Sequence, residues 1–188
     1  MGKKFKSGTQ ILITGLGNPE KKHALTFHNT GILFVDYLAK KFGDTFEKTG
    51  GKPFLFTKSP LGILVKSLVP MNNSGETVIS AMKFFGISAN HVIVVHDDSD
   101  ILIGNYKIQK ERGAAGHNGV SSVISSLHTN SFWRIRIGVR KKEEKRKKAL
   151  EFVLRKIGKS ELKILEQVFS EILAEISDFF PLEMSSKN

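Results

Sequence analysis

An apolar run, HVIVVH at 91–96, runs straight into the carboxylates Asp97, Asp98 and Asp100, and no other stretch limits the fold as strongly. Six residues of that kind bounded by polar ones read as a buried strand. The pattern that follows predicts an acidic turn, a short strand, and the small-residue loop GAAGHNG at 113–119, which opens a helix over NGVSSVISSL. Gly113 and Gly116 are expected to allow backbone shapes closed to other residues. Asn118 stands where a helix cap would stand. A polar loop at the carboxyl end of a buried strand is where α/β proteins keep their sites.

The remaining pattern repeats this alternation. QILIT (10–14) is a short strand stopped by GLGNP (15–19). That turn lacks the third glycine of a dinucleotide fingerprint, because position 20 is glutamate and Pro19 blocks the usual helix start. Ile32, Val35, Leu38, Ala39 and Phe42 fall at helical spacing before Gly43. KPFLFTK (52–58) and LGILVKSL (61–68) predict a hairpin about Ser59-Pro60, and SGETVISAMKFFG predicts a helix. FWRIRIGV (132–139) alternates so that Phe132, Arg134 and Arg136 share one face, an arrangement that suggests an anionic ligand. Leu150, Val153, Leu154 and Ile157 predict a helix after the basic stretch. Ser160 is expected to cap a last amphipathic helix, with Leu162, Leu165, Phe169, Ile172, Ile176 and Phe179 turned inward. Strands alternating with helices predict a single α/β domain: a twisted, mixed, largely parallel sheet flanked by helices, over residues 10–182. Residues 1–9 read as a basic extension and 183–188 as a fraying tail.

Charge narrows the partner. The net charge of +11 is concentrated, since residues 134–159 carry 12 Lys or Arg against three Glu. A block of that density favours a polyanion, nucleic acid before membrane, although charge blocks also occur without partners. The chain has no cysteine, which excludes disulfides, thiolate nucleophiles and cysteine-bound metals. No apolar run approaches the roughly 20 residues of a membrane helix, and MGKKFKSGTQ leads into no signal-peptide core. A cytoplasmic location is expected.

Polar residues collect at four predicted strand ends: Asn18, His28, Asn72 with Asn73, and the stretch from Asp97 to Asn118. Each has an ordinary reading: Asn18 as a turn residue, His28 as a structural histidine, Asn72 as a cap, Met71 as core filling. Taken together, and without a G-x-S-x-G elbow, they suit a histidine base acting on water, an aspartate holding the imidazole, and amides binding carbonyls. A metal centre on His96, Asp97, Asp98 and Asp100 and a non-enzymatic RNA-binding protein are the alternatives.

In order along the chain, GLGNP (15–19), TFHNTG (26–31), MNNSG (71–75), HDDSD (96–100), GAAGHNG (113–119) and FWRIRIG (132–138) resemble the motifs of bacterial-type peptidyl-tRNA hydrolases. The resemblance spans about Ile11 to Phe180. It implies hydrolysis of the ester between a peptide and the 3′ ribose of tRNA, releasing the tRNA, by a monomer with no cofactor, resident metal or membrane attachment. It implies His28 as catalytic base and Asp97 as its partner. Asn18, His23, Met71, Asn72, His117 and Asn118 would line the substrate site. Lys107, Arg136, Arg140, Lys141 and Lys142 would meet the tRNA. Departures fall at His23 and Phe27, where the family usually has Tyr and Arg. The run Lys66-Ser-Leu-Val-Pro70 differs too, and Gln109 replaces a lysine associated with the tRNA 5′ phosphate.

Overall fold

The computed structural model describes residues 10–144 and 148–179, so the basic extension, the tail and the centre of the basic stretch lie outside it. Seven strands form one sheet: β1 (Leu12–Gly15), β2 (Glu47–Lys48), β3 (Phe54–Ser59), β4 (Gly62–Ser67), β5 (Val92–Leu102), β6 (Tyr106–Lys110) and β7 (Trp133–Arg140). Their order is β2-β3-β4-β1-β5-β7-β6. The centre, β4-β1-β5-β7, is parallel. The β3–β4 hairpin supplies antiparallel pairing on one flank and β6 on the other.

Helices cover both faces. Helix α1 (Thr30–Phe42) and helix α4 (Lys159–Phe179) lie on one side. There Phe34, Leu38, Phe169 and Ile172 pack on Ile13, Ile93, Val95 and Ile135. Helix α2 (Ser74–Phe85) and helix α3 (Asn118–Leu127) lie on the other. Val78, Val120 and Val123 meet Leu12, Val65, Val94 and Phe132 there. Two covered faces explain why β5 opens as an unbroken apolar run.

Three expectations are corrected. The acidic residues do not form a turn: β5 carries Asp97 and Asp98 within the strand, and its pairing with β7 slips only between Asp98 and Leu102. The helix expected near 150–157 is a single turn, Ala149–Glu151. Beyond it, residues 153–157 run antiparallel to 25–28, with Val153 and Arg155 carbonyls accepting the His28 and Phe27 N–H groups and Leu25 accepting that of Ile157. Backbone groups around His28 need partners, and that demand outweighs a helical spacing of only two turns. Gly113 is not left-handed; Ala115 and Gly116 are, at φ 50° and 78°.

Helix α4 begins at Lys159, and Glu161 rather than Ser160 accepts the Gly158 N–H. Leu165, Phe169, Ile172 and Ile176 are buried as expected and Leu162 is half-buried, while the Phe179 side chain is outside the described set. No helix among the described residues is long and apolar enough to cross a membrane.

Candidate active site

The site forms where β1 and β5 end and α1 begins. Gly31 lets that helix settle on the strand ends, since a Cβ there would stand 2.2 Å from the Val95 carbonyl oxygen. The turn Phe27–Asn29 is thereby pressed against β5, and His28 reaches Asp97. His28 Nδ1 lies 3.0 Å from both Asp97 carboxylate oxygens. His117 Nε2 also lies 3.0 Å from Oδ1. Asp97 is 2 % exposed and joins the two histidines, whose rings are 5.1 Å apart.

Proton positions follow from one backbone bond. His117, not Asn118, caps α3: its Nδ1 accepts the Val120 N–H at 3.3 Å. The lone pair is therefore on Nδ1 and the proton on Nε2, which donates to Asp97. His28 likewise donates Nδ1–H to Asp97. Its Nε2 is left as a lone pair with no hydrogen-bond partner among the described residues. Burial pushes the His28 imidazole down, but the Asp97 charge and hydrogen bond outweigh it and raise the pKa. Burial pushes Asp97 up; the two histidines reverse this and hold it far below the usual carboxylate range.

Asn18 is fixed from two sides. Asn29 exchanges hydrogen bonds with its backbone, accepting from Asn18 N–H at 2.8 Å and donating to Asn18 O at 2.9 Å. The Asn18 side-chain oxygen accepts the Met71 N–H at 2.9 Å, which leaves its amide N–H groups unclaimed among the described residues. Sequence reasoning passed over Asn29, whose only signal is its place after His28 in TFHN. Met71 is buried, and Gly119 lies so close that a Cβ would stand 2.4 Å from its sulfur. Asn72 and Asn118 are exposed at the starts of α2 and α3. His23 is half-buried on the turn Lys21–His23, and its carbonyl accepts from Thr26.

The expected phosphate contacts divide. Lys107 and Lys142 are exposed. Arg136 is only 3 % exposed, with Nε 2.6 Å from Asp98 Oδ2 and Nη1 2.5 Å from Gln109 Oε1. The face it shares with Arg134 lies beneath α3, so the expectation of a phosphate-facing strand is corrected. Arg140 donates to the Ser99 and Glu144 carbonyls and lies over the Phe152 ring. Lys141 pairs with Glu161 at 2.5 Å. These three cations are engaged by the protein itself.

The donor set does not suit a resident cation. His28, Asp97 and His117 offer ligand atoms within 4.8 Å of one another. Yet the α3 cap puts a proton, not a lone pair, on the His117 nitrogen that would have to bind. The alternative set is dispersed: the His96 ring bonds the Asp97 carbonyl, Asp98 pairs with Arg136, and Asp100 is exposed.

A mixed α/β sheet with a His–Asp pair at its strand ends and amides around it has the parts of a hydrolytic centre, and the relatives of this chain are hydrolases. The family model described as peptidyl-tRNA hydrolase matches residues 12–187, and the chain belongs to that family. A peptidyl-tRNA hydrolase of Mycoplasma mycoides is 37 % identical over 171 residues, covering 89 % of this chain and 91 % of that protein. One from Kosmotoga olearia is 39 % identical over 173 residues, covering 90 % of each. The crystal structure of peptidyl-tRNA hydrolase from Acinetobacter baumannii superposes with a TM-score of 0.80 at 27 % identity, over 92 % of this chain and 89 % of that one.

Proposed function

We propose that the chain hydrolyses the ester joining a peptide to the 3′ ribose of tRNA, with His28 as general base on water and no covalent intermediate. The observation that carries this reading is the His28–Asp97 pairing: Nδ1 lies 3.0 Å from both carboxylate oxygens, which assigns the proton to Nδ1 and leaves the Nε2 lone pair as the open end of the dyad. Water attacking the ester carbonyl carbon gives its proton to Nε2. The imidazolium, stabilised by Asp97, returns that proton to the departing 3′ oxygen. The sequence holds no cysteine and no G-x-S-x-G elbow to compete with this role.

The free amide N–H groups of Asn18, with exposed Asn72 and Asn118, are suited to carbonyl oxygens of the peptide and of the tetrahedral intermediate. Neutral amides also account for selection of N-blocked substrates, because a free α-ammonium would lose hydration beside them without gaining a counter-charge. The exposed cations Lys107 and Lys142 meet phosphates rather than bases.

The test is release of free tRNA from N-acetyl-aminoacyl-tRNA, with unblocked aminoacyl-tRNA as control. Turnover should persist in a strong chelator, and His28→Ala should lose ~10²–10⁴-fold while tRNA still binds. Equal rates on the two substrates, or near-normal turnover by His28→Ala, would refute the reading.

A further inference from the structure

One buried ionisable group has no part in the reaction described above. His96 is 2 % exposed at the end of the apolar run in β5. Its Nδ1–H donates to the Asp97 carbonyl at 2.6 Å, and its ring meets the His117 ring edge to face at a centroid distance of 4.7 Å. On the far side of that ring, Nε2 is buried with no hydrogen-bond partner among the described residues.

Strand register defines the rest of the setting. His96 pairs with Arg136 and Val94 with Arg134, so the histidine and both arginines share the face beneath α3. Arg136 is engaged by Asp98, whereas Arg134, 1 % exposed, has a buried Nη2 without a partner. The groups facing His96 are thus His117 from the start of α3, Asp97 and Asp98 from its own strand, and Arg134 and Arg136 from β7. Arg112 acts on Arg134 as a further like charge. A second positive charge on this face would be strongly opposed. Burial, then the neighbouring His117, push the His96 imidazole well below its ordinary range, against the weaker opposing pull of Asp97. The ring is neutral, a donor at one end and an acceptor at the other, and Arg134 is a further donor on the same face.

We propose that His96 is a positioning residue for the hydrolytic centre: its ring braces His117, so that His117 Nε2–H stays aimed at Asp97 Oδ1 and the carboxylate keeps its orientation toward His28. This rests on the function proposed above. Among the described residues the His117 ring is otherwise held by its cap bond, its bond to Asp97 and a tilted contact with the His28 ring, which leave it able to rock about the line through its two nitrogens. The contact with His96 removes that freedom. Donation to the Asp97 carbonyl fixes the backbone of the residue that both histidines share.

Two variants separate the ring from the donor. His96→Asn keeps a donor near the Asp97 carbonyl and removes the ring; His96→Phe keeps a ring against His117 and removes the donor. Nitrogen NMR of the free enzyme at neutral pH reads the tautomers directly. Wild type should show His117 as Nε2–H and His28 as Nδ1–H. His96→Asn should blur the His117 signals and lower kcat by about 10- to 100-fold, the scale of a displaced catalytic group. With His117 loosened, the Asp97 charge bears more fully on His28, so the acidic limb of kcat/KM should move to higher pH. His96→Phe should restore most of the rate and return the limb. In a His117→Ala background, His96→Asn should cause no further loss, because both changes remove one device.

Wild-type tautomers and rate in His96→Asn would overturn the proposal. So would a Phe variant no better than Asn, or additive losses in the double variant. If the wild-type enzyme fails to release tRNA while the NMR pattern is as stated, the reaction is misassigned but the bracing stands.

Discussion

Asp97→Asn tests the dyad most sharply, because the amide leaves one acceptor oxygen for two histidine donors and sets a donor against one of them. Oδ1 is the oxygen that lies 3.0 Å from both rings, and Oδ2 lies 3.0 Å from His28 Nδ1 alone. His117 must donate, since its Nδ1 is occupied by the Val120 N–H, so the amide oxygen has to occupy the Oδ1 position. The amide nitrogen then faces His28 Nδ1 as a second donor at about 3.0 Å. Oδ1 alone could still accept from both rings, but moving the His28 proton to Nε2 turns the amide N–H from a clash into a bond, and that removes the lone pair proposed to take a proton from water. A wrong tautomer of this kind costs ~10⁴-fold in the serine-protease triad, about 5 kcal/mol of barrier. The expected result is a loss of about 10³- to 10⁴-fold in kcat for tRNA release, with unchanged thermal stability to within a few degrees. Without the Asp97 charge, burial lowers the His28 pKa, so the acidic limb should move to lower pH. Raising the pH should not recover activity, because the defect is where the proton sits rather than whether one is bound. A loss below about tenfold, or recovery in alkali, would refute the tautomer argument.

Three further outcomes are expected. Asp98→Ala leaves Arg136 unpaired beside Arg134 in a buried face, at about 3–5 kcal/mol, and should lower the thermal midpoint by roughly 10 °C; an unchanged midpoint would mean Gln109 alone satisfies the guanidinium. Glu161 is opposed by burial, but the bonds from Arg155, Lys141 and the Gly158 N–H hold it at about 2 against an ordinary 4.5, so its stabilising contribution is present above pH 4.5 and lost as pH falls toward 2. Glu161→Gln should flatten that part of the stability curve and cost about 3 kcal/mol at neutral pH, measured by denaturant titration, whereas a wild-type-like curve would discount the network. Lys107→Ala and Lys142→Ala should each weaken tRNA binding and reduce the salt slope by about 0.9, and an unaltered slope would move the phosphate path to another surface.

The fold was legible where periodicity and punctuation agreed. The hairpin about Ser59-Pro60, α1 ending at Gly43 and the amphipathic α4 each carry two independent signals. Alternation also assigned Arg134 and Arg136 to one face correctly. What alternation cannot give is whether a face is covered, and crossover helices in a parallel sheet cover both. That is why two arginines that suggested an anion site are buried, one of them neutralised by Asp98 from the neighbouring strand. The cap of α3 was missed by one residue for a similar reason. Asn118 has the better capping propensity, but His117 is held in position by Asp97, and tertiary contact outweighs propensity. Asn29 was hidden because its role is to hold the backbone of Asn18, eleven residues away, and no local pattern announces such a pairing.

The direction of the proton chain follows from the same accident of placement. A histidine pair around a carboxylate has several arrangements of protons that differ little in energy. Here one end is tied to the N–H of Val120, a backbone group that cannot tautomerise. That bond forces His117 Nε2–H toward Asp97, and the two histidine donors keep Asp97 ionised against the opposing effect of burial. An ionised Asp97 in turn draws the His28 proton to Nδ1. The Nε2 lone pair is therefore specified by the first turn of α3 rather than by His28 itself. Helix α3 can begin at His117 only because Gly119 lets it sit against Met71, whose own backbone is held by Asn18. Substitutions in that packing should therefore act on His28, the proposed base, through its tautomer before they act on substrate binding.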